Sequence, residues 1–203
     1  IRNKMKIKTT LMALFLITVM NAQEKYPQDL PYYQIPDYPD SYTAGTVVAR
    51  MIDGLGFRYY WATEGLRPED LAYKPSESNR TIDETLDHLY NLSRVVHNSA
   101  IKEINDRTEG SEEEVLSYEE KRKRTLLNFK QASEIFIDAE DLNEHPVIFK
   151  TKTGTYSNPF WNQINGPIED AVWHCGQIVV LRRAAGNPID SKISLFTGVR
   201  RTD

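Results

Sequence analysis

The chain has 203 residues, a formal net charge of -4 and one cysteine, Cys175. That length fills one ordinary domain with a sizeable core. The mild negative balance excludes a global attraction to nucleic acid or to an anionic membrane, and a lone cysteine excludes an internal disulfide and any multi-cysteine zinc site.

The first stretch reads as a targeting segment. Met5 is followed by Lys6 and Lys8, an apolar run from Leu11 to Met20, and then Asn21-Ala22-Gln23. A basic start, a short apolar core and a small-residue end make a secretory signal peptide, here residues 1–23 with Ile1 to Lys4 upstream of the methionine. The run is too short for a membrane span. No cysteine follows it, so a lipoprotein anchor is not expected. The reading predicts an exported, periplasmic chain of a Gram-negative bacterium, beginning near Gln23 or Glu24. The competing reading is a buried N-terminal helix. It fits less well, because the run is apolar on all faces and then meets a proline-rich break. Residues 24–42 carry Pro27, Pro31, Pro36 and Pro39 among tyrosines. Prolines at this density predict an extended arm, laid on the domain through Tyr32, Tyr33 and Tyr38.

From Thr43 the apolar residues recur at steps of three and four. Ala44, Val48, Met51, Leu55, Tyr59, Ala62 and Leu66 predict a first amphipathic helix. Gly54 and Gly56 interrupt it at about 1 kcal/mol each against alanine. They read as tolerated, the alternative being a close approach of backbone or ligand. Arg67 to Arg80 is a polar connection. Thr81 and Glu84 then form a capping box for a second helix reaching about Ile104, with Ile82, Thr85, Leu89, Leu92 and Val96 inward. His88 sits at the edge of that stripe. His97 is nearly half a turn further round and cannot serve the same site.

Asp106 to Glu114 reads as an acidic loop. Ser117 and Glu120 form a further capping box for a third helix reaching about Ala139, with Leu126, Phe129, Ala132 and Phe136 inward. The basic run Lys121 to Arg124 reads as a solvated helix face. Asp141 to Asn165 is the longest irregular region, with a short strand at Val147 to Lys150, a turn at Gly154 to Pro159, and Phe160 and Trp161 as anchors or pocket walls. The tail from Ile189 shows no clear period. Amphipathic helices with almost no strand pattern predict an all-α helix bundle. About eleven residues join helices two and three, reaching roughly 36–40 Å against about 33 Å for a helix of about 22 residues. A crossover that leaves these helices parallel is therefore nearly taut.

The last helix is predicted over Pro167 to Pro188. Pro167 suits a first turn, where its missing N–H costs nothing. Gly186 and Pro188 stop the helix, and Arg182 and Arg183 face the negative end of its dipole. Asp170 and His174 lie four residues apart, on one face and one turn above the other. Ile178 and Leu181 continue that face, which therefore points inward. A carboxylate and an imidazole there need partners, because burying either alone is costly.

One explanation is a helix-face hydrogen bond or a core histidine. The other is a metal site, with His88 as a third ligand from a second helix. Two imidazoles and one carboxylate match the facial triad that holds iron, zinc or similar ions. Such a metal lowers the pKa of bound water and acts as a Lewis acid. The sequence has no Gly-x-Ser-x-Gly elbow, no phosphate-cradling glycine loop with lysine and no His-Glu-x-x-His. Cys175 is about 100° round the helix from His174 and reads as a buried inert thiol. His145, beside Glu144, reads as a simple loop histidine, the alternative being a residue that closes over the site.

His88 within TIDETLDHLYNLSR, together with AVWHCGQIVVLRRAAGNP, resembles the DinB-like superfamily over roughly Thr43 to Pro188. The most specific parts are the helix-two histidine behind a Thr-Ile start and the His174-x-Gly176-Gln177 turn. The superfamily includes metal-dependent hydrolase-like proteins, bacillithiol transferases and thiol-dependent isomerases. The resemblance implies a four-helix bundle, up-down-down-up, over residues 43–203. It also implies a zinc or nickel ion held by one histidine of helix two and two histidines of the last helix. His88 and His174 match two of these, and Asp170 stands where the family pattern has the third. Aspartate is a harder oxygen donor on a shorter side chain, which favours manganese, iron or magnesium; the alternative is a partly lost site. Glu169 points about 100° away and is a second-choice substitute, while Gln177 shares the face and suits an outer-sphere role.

The expected function is a metal-dependent hydrolase-like enzyme with His88, Asp170 and His174 on the metal and a small-molecule substrate of unknown identity. The alternatives are a thiol-dependent S-transferase and a non-catalytic periplasmic binding module with a degenerate metal site. No nucleic-acid partner is expected, nor a membrane after signal removal. A homodimer is left open.

Overall fold

A computed structural model describes residues 30–108 and 114–202. The chain divides into two units, Ile1–Leu30 and Pro31–Asp203, and every described helix and strand belongs to the second. The expected signal peptide and the first residues of the arm lie outside the described residues. Among the described residues no helix is long and apolar enough to cross a membrane.

The protein is mostly helical, with two small sheets, of whose strands the sequence pattern announced the one at Val147 to Lys150. Helix α1 is Ala44–Thr63. Its N-cap Thr43 accepts from the Thr46 N–H at 3.1 Å, and Thr46 returns the bond to the Thr43 N–H. Ile52, Leu55, Phe57 and Tyr59 are fully buried, so α1 is covered on more than one face. Its stripe runs through Gly45, Val48, Ile52, Leu55, Tyr59 and Ala62; Ala44 and Met51 of the expected stripe fall outside it.

Two glycines of α1 are required by their neighbours. A Cβ on Gly56 would collide with the ring of Tyr32, and one on Gly45 would meet the backbone oxygens of Phe136 and Ala139. Gly56 therefore marks a close approach rather than tolerance. Tyr32, with φ 75°, drops its ring into that notch and donates to Asp53 at 3.0 Å. Tyr33 packs on Trp61 at 5.1 Å, and Arg50 lies 4.6 Å over the Tyr38 ring. All three predicted tyrosines thus lay the arm on α1.

After the short α2 (Pro68–Leu71) comes α3, Ile82–Ala100. The capping box is complete: the Thr81 N–H donates to Glu84 at 2.7 Å and the Glu84 N–H to Thr81 at 3.1 Å. The helix stops at Ala100 rather than near Ile104. Lys102 with φ 60° and β1, Asn105–Asp106, come immediately after. A shorter helix and a connection that runs to Ser117 relax the span that looked taut.

Helix α4 is Tyr118–Phe136, with Leu126, Phe129, Ala132 and Phe136 fully buried as the period predicts. The Ser117 side chain accepts from the Glu120 N–H at 3.2 Å, but Glu120 turns to Arg124 at 3.2 Å instead of completing a box. Half of the basic run is not a solvated face: Lys121 and Arg122 are buried, while Lys123 is exposed. Lys121 is 5 % exposed and bridges Asp83 and Asp87 at 2.8 and 2.9 Å. Arg122 is 7 % exposed and donates to Thr63 at 3.0 Å. The charge pattern of one helix did not reveal these partners, which sit on other helices.

The long loop folds as β2 (Val147–Thr151) and β3 (Gly154–Asn158). The expected turn at Gly154 is a strand, antiparallel to β2 with Val147 opposite Asn158. The sheet order is β1-β2-β3, with β1 parallel to β2. His145 is buried, its ring edge-on to Phe136 and its Nδ1 at 3.2 Å from the Ser99 carbonyl. It is a core group and does not close over a site. The tail forms a hairpin of β4 (Ile193–Ser194) and β5 (Val199–Arg200).

Candidate metal centre

The last helical segment starts earlier than its proline suggests. Helix α5, Trp161–Gln163, runs into one wide turn, Ile164–Ile168, and then into α6, Glu169–Ala184. The Glu169 N–H reaches back to the Ile164 carbonyl, five residues away. Pro167 sits inside this wide turn, not at a helix start. Pro167 has no N–H, so the usual bond to the fourth residue back is lost, and a π-turn accommodates the loss without ending the helix. Gln163 is fully buried beneath it, its side-chain nitrogen 3.5 Å from the Val95 carbonyl of α3. The far end closes as read from the sequence. Gly186 takes φ 80°, its N–H bonds Arg183 at 3.1 Å, and the Asn187 N–H bonds Arg182 at 2.8 Å, a Schellman stop.

The wide turn sets the phase of α6, and α6 then brings Asp170 and His174 to His88 on α3. Asp170 Oδ2 lies 3.1 Å from His88 Nε2, and Asp170 Oδ1 lies 3.4 Å from His174 Nε2. The two imidazoles meet edge to face, with centroids 4.7 Å apart and planes at 86°. One donor atom from each residue lies within 4.8 Å of the others. The three side chains are 31, 41 and 18 % exposed in chain order. The face is thus partly open to solvent rather than fully inward.

These distances suit a shared ion. Two ligands each roughly 2.0–2.2 Å from one cation stand about 3–3.5 Å apart in tetrahedral or octahedral geometry. Both histidine–aspartate spacings already fall there. Gln177 Oε1 lies 2.7 Å from His174 Nδ1. A carbonyl oxygen only accepts, so Nδ1 carries a proton, and in the neutral imidazole Nε2 then keeps its lone pair toward Asp170 and His88. This is how a residue outside the coordination sphere fixes the tautomer of a metal-ligating histidine. The donor set is therefore one that could hold a metal ion.

Other candidates drop out. Glu169 is exposed and is not one of the residues whose donor atoms converge. Cys175 is buried, and burial pushes its thiol up to about 12. At neutral pH it is a thiol, neither a ligand nor a nucleophile. His97 lies outside the cluster, and burial holds its imidazole below the usual range. Sequence reasoning missed Lys121, which pairs with Asp87, the residue before His88. The signal available was the i, i+4 spacing of Asp83 and Asp87 facing a lysine near a helix start. A comparison with family models, with curated proteins and with solved structures found no match.

Proposed function

We propose that this chain is a metal-dependent, hydrolase-like enzyme of the DinB-like superfamily, with His88, Asp170 and His174 holding one divalent ion. The observation that carries the reading is the Gln177 contact. In the neutral imidazole it leaves the Nε2 lone pair of His174 aimed at a carboxylate, where an unprotonated nitrogen gains nothing without a cation between them. A bound ion would supply Lewis acidity and a lowered pKa for the water it carries. The chain's own residues hold that ion on one side and leave the solvent side open to a small-molecule substrate. The mixed donor set suits zinc or nickel through the imidazoles and manganese or iron through the carboxylate.

The superfamily bundle, up-down-down-up, has support in the side-chain pairs. Lys121 near the start of α4 meets Asp83 near the start of α3, and Asn128 meets Ser93 further along both, as in a parallel pair. Arg122 meets Thr63 while Gly45 faces Phe136, as in an antiparallel pair of α1 and α4. Export to a periplasm remains part of the proposal and rests on the Met5 to Gln23 pattern alone.

A second reading has one observation in its favour. Asp170 already touches both imidazoles, so a hydrogen-bonded triad in a non-catalytic binding module needs no ion. This triad would require His174 to be doubly protonated, or the Gln177 amide to be turned. No observation favours the thiol-transferase alternative, whose thiol would be a low-molecular-weight cosubstrate of the kind found chiefly in the cytosol, against the expected export. The deciding experiment is metal analysis of the purified protein, with zinc, nickel and manganese added to metal-free samples. The enzyme reading expects bound metal in the wild type and none in His174→Ala or His88→Ala. It also expects stabilisation of about 2.7 kcal/mol at a hundredfold excess over Kd. A wild type that neither carries metal nor gains stability from any of the three ions would establish the triad instead.

A further inference from the structure

A second concave surface lies on the side of α6 away from the metal cluster. Gly176 is two residues beyond His174, about 200° round the helix, so what faces Gly176 does not face His88. A groove of about 260 Å³ opens there between α1 and α6, with the tail closing one side. Its walls include Trp61, Val172 and Leu195, and Arg58 is the one charged residue lining it.

Two features of the groove lack a structural explanation. The first is Gly176. A glycine in a helix interior costs about 1 kcal/mol against alanine, and at Gly45 and Gly56 of α1 the cost is explained by neighbours that exclude a Cβ. At Gly176 a Cβ would meet no heavy atom within 4 Å. Nothing in the packing asks for glycine, and any larger side chain there would stand in the groove.

The second is Arg58. A guanidinium offers five N–H donors in a planar fork. Arg58 uses one group, Nη1, on the Gly54 carbonyl of its own helix at 2.8 Å. Among the described residues no other hydrogen bond engages it, and it takes part in none of the ion pairs. A half-buried cation at the edge of an apolar concavity is complementary to a ligand with one anionic end and a hydrocarbon body. The fork geometry matches a carboxylate. The volume lies just below the usual range for drug-sized ligands, which selects a small one.

We propose that this groove binds a small apolar carboxylate, with the carboxylate on Arg58 and the hydrocarbon chain seated over Gly176 against Trp61, Val172 and Leu195. The site is separate from the metal centre and does not depend on it.

The test is calorimetric titration of the folded protein with octanoate, octanol and octylammonium. Octanoate binds, octanol binds about tenfold more weakly, and octylammonium gives no heat, the difference being that expected for a charge-assisted bond. Arg58→Gln lowers octanoate affinity to that of octanol, while Arg58→Lys keeps most of it. Gly176→Leu fills the groove and abolishes octanoate binding with an unchanged circular dichroism spectrum. His174→Ala leaves octanoate binding as it was, which separates this site from the metal reading. Equal affinity for octanoate and octanol would overturn the proposal. So would octanoate binding that survives Gly176→Leu, or no octanoate binding at millimolar concentration in the wild type.

Discussion

Arg182 and His174 lie on the same helix, two turns apart, and meet their surroundings in opposite ways. Arg182 is 3 % exposed. Its Nη1 donates to the Ala62 carbonyl at 2.9 Å and its Nε to the Asn187 carbonyl at 2.7 Å. Asn187 in turn donates to Asp70 at 2.6 Å, and Asp70 takes two bonds from the Arg67 side chain, at 2.8 and 2.9 Å, and one from its backbone N–H at 2.8 Å. Arg67 holds the Asp70 carboxyl well below the usual carboxylate range. Each group in that knot ends on a backbone carbonyl or an opposite charge. Apart from the Gln177 contact on His174 Nδ1, the polar atoms of the His88–Asp170–His174 cluster end on one another, partly open to solvent. Buried polar groups with every partner inside the fold are stability devices. Groups that converge with lone pairs left over are places for a ligand.

The contrast can be broken by substitution. Arg182→Met should cost the most, about 3 kcal/mol, because it strands the Trp61 and Ala62 carbonyls; chemical denaturation measures it. An effect near zero would show that the knot is decorative. Gly56→Ala should cost about 1–2 kcal/mol, since the added carbon displaces the Tyr32 ring from its notch. Proteolysis after the arm should quicken in the same variant. His88→Ala should change the stability of the metal-free protein by less than about 1 kcal/mol while removing bound metal. A loss as large as that of Arg182→Met would make the cluster structural and erase the distinction.

The smallest expected effect concerns Asp53, and it depends on pH. Burial raises the Asp53 carboxyl above the usual range, opposed by hydrogen bonds from Ser133 and Tyr32. A carboxyl raised on folding gives its full stability below the unfolded pKa and loses it as pH rises through the folded value. The ionised group therefore costs stability at neutral pH. Asp53→Asn keeps an acceptor for Tyr32 and should raise Tm at pH 7 but not at pH 3. A Tm gain of equal size at both values would rule out this cause.

Much of the architecture was legible because it rests on short-range rules. Thr81 with Glu84 announces a helix start, and Gly186 announces a stop, since both solve the problem of unpaired backbone groups locally. The period of three and four found the buried face of α4. The same rules misplaced the start of the last helix. Pro167 forbids one backbone bond, and whether the chain then ends the helix or widens one turn depends on what the flanking residues pack against. Lys121 and Arg122 were misread for a related reason: a charged residue declares its need for a partner but not where the partner lies.

For the site, sequence alone determined the chemistry on offer. Spacing put Asp170, His174 and Gln177 on one face, because 3.6 residues make a turn in any α-helix. It also put His88 at the edge of a capped helix. Only the tertiary structure decided that these residues meet, that Gln177 Oε1 sits against His174 Nδ1, and that the cluster stays partly open. Those facts depend on the phase of α6 after its wide turn and on the packing of α6 against α3. Contacts between residues eighty positions apart are set by how whole faces fit, and no local pattern records that fit.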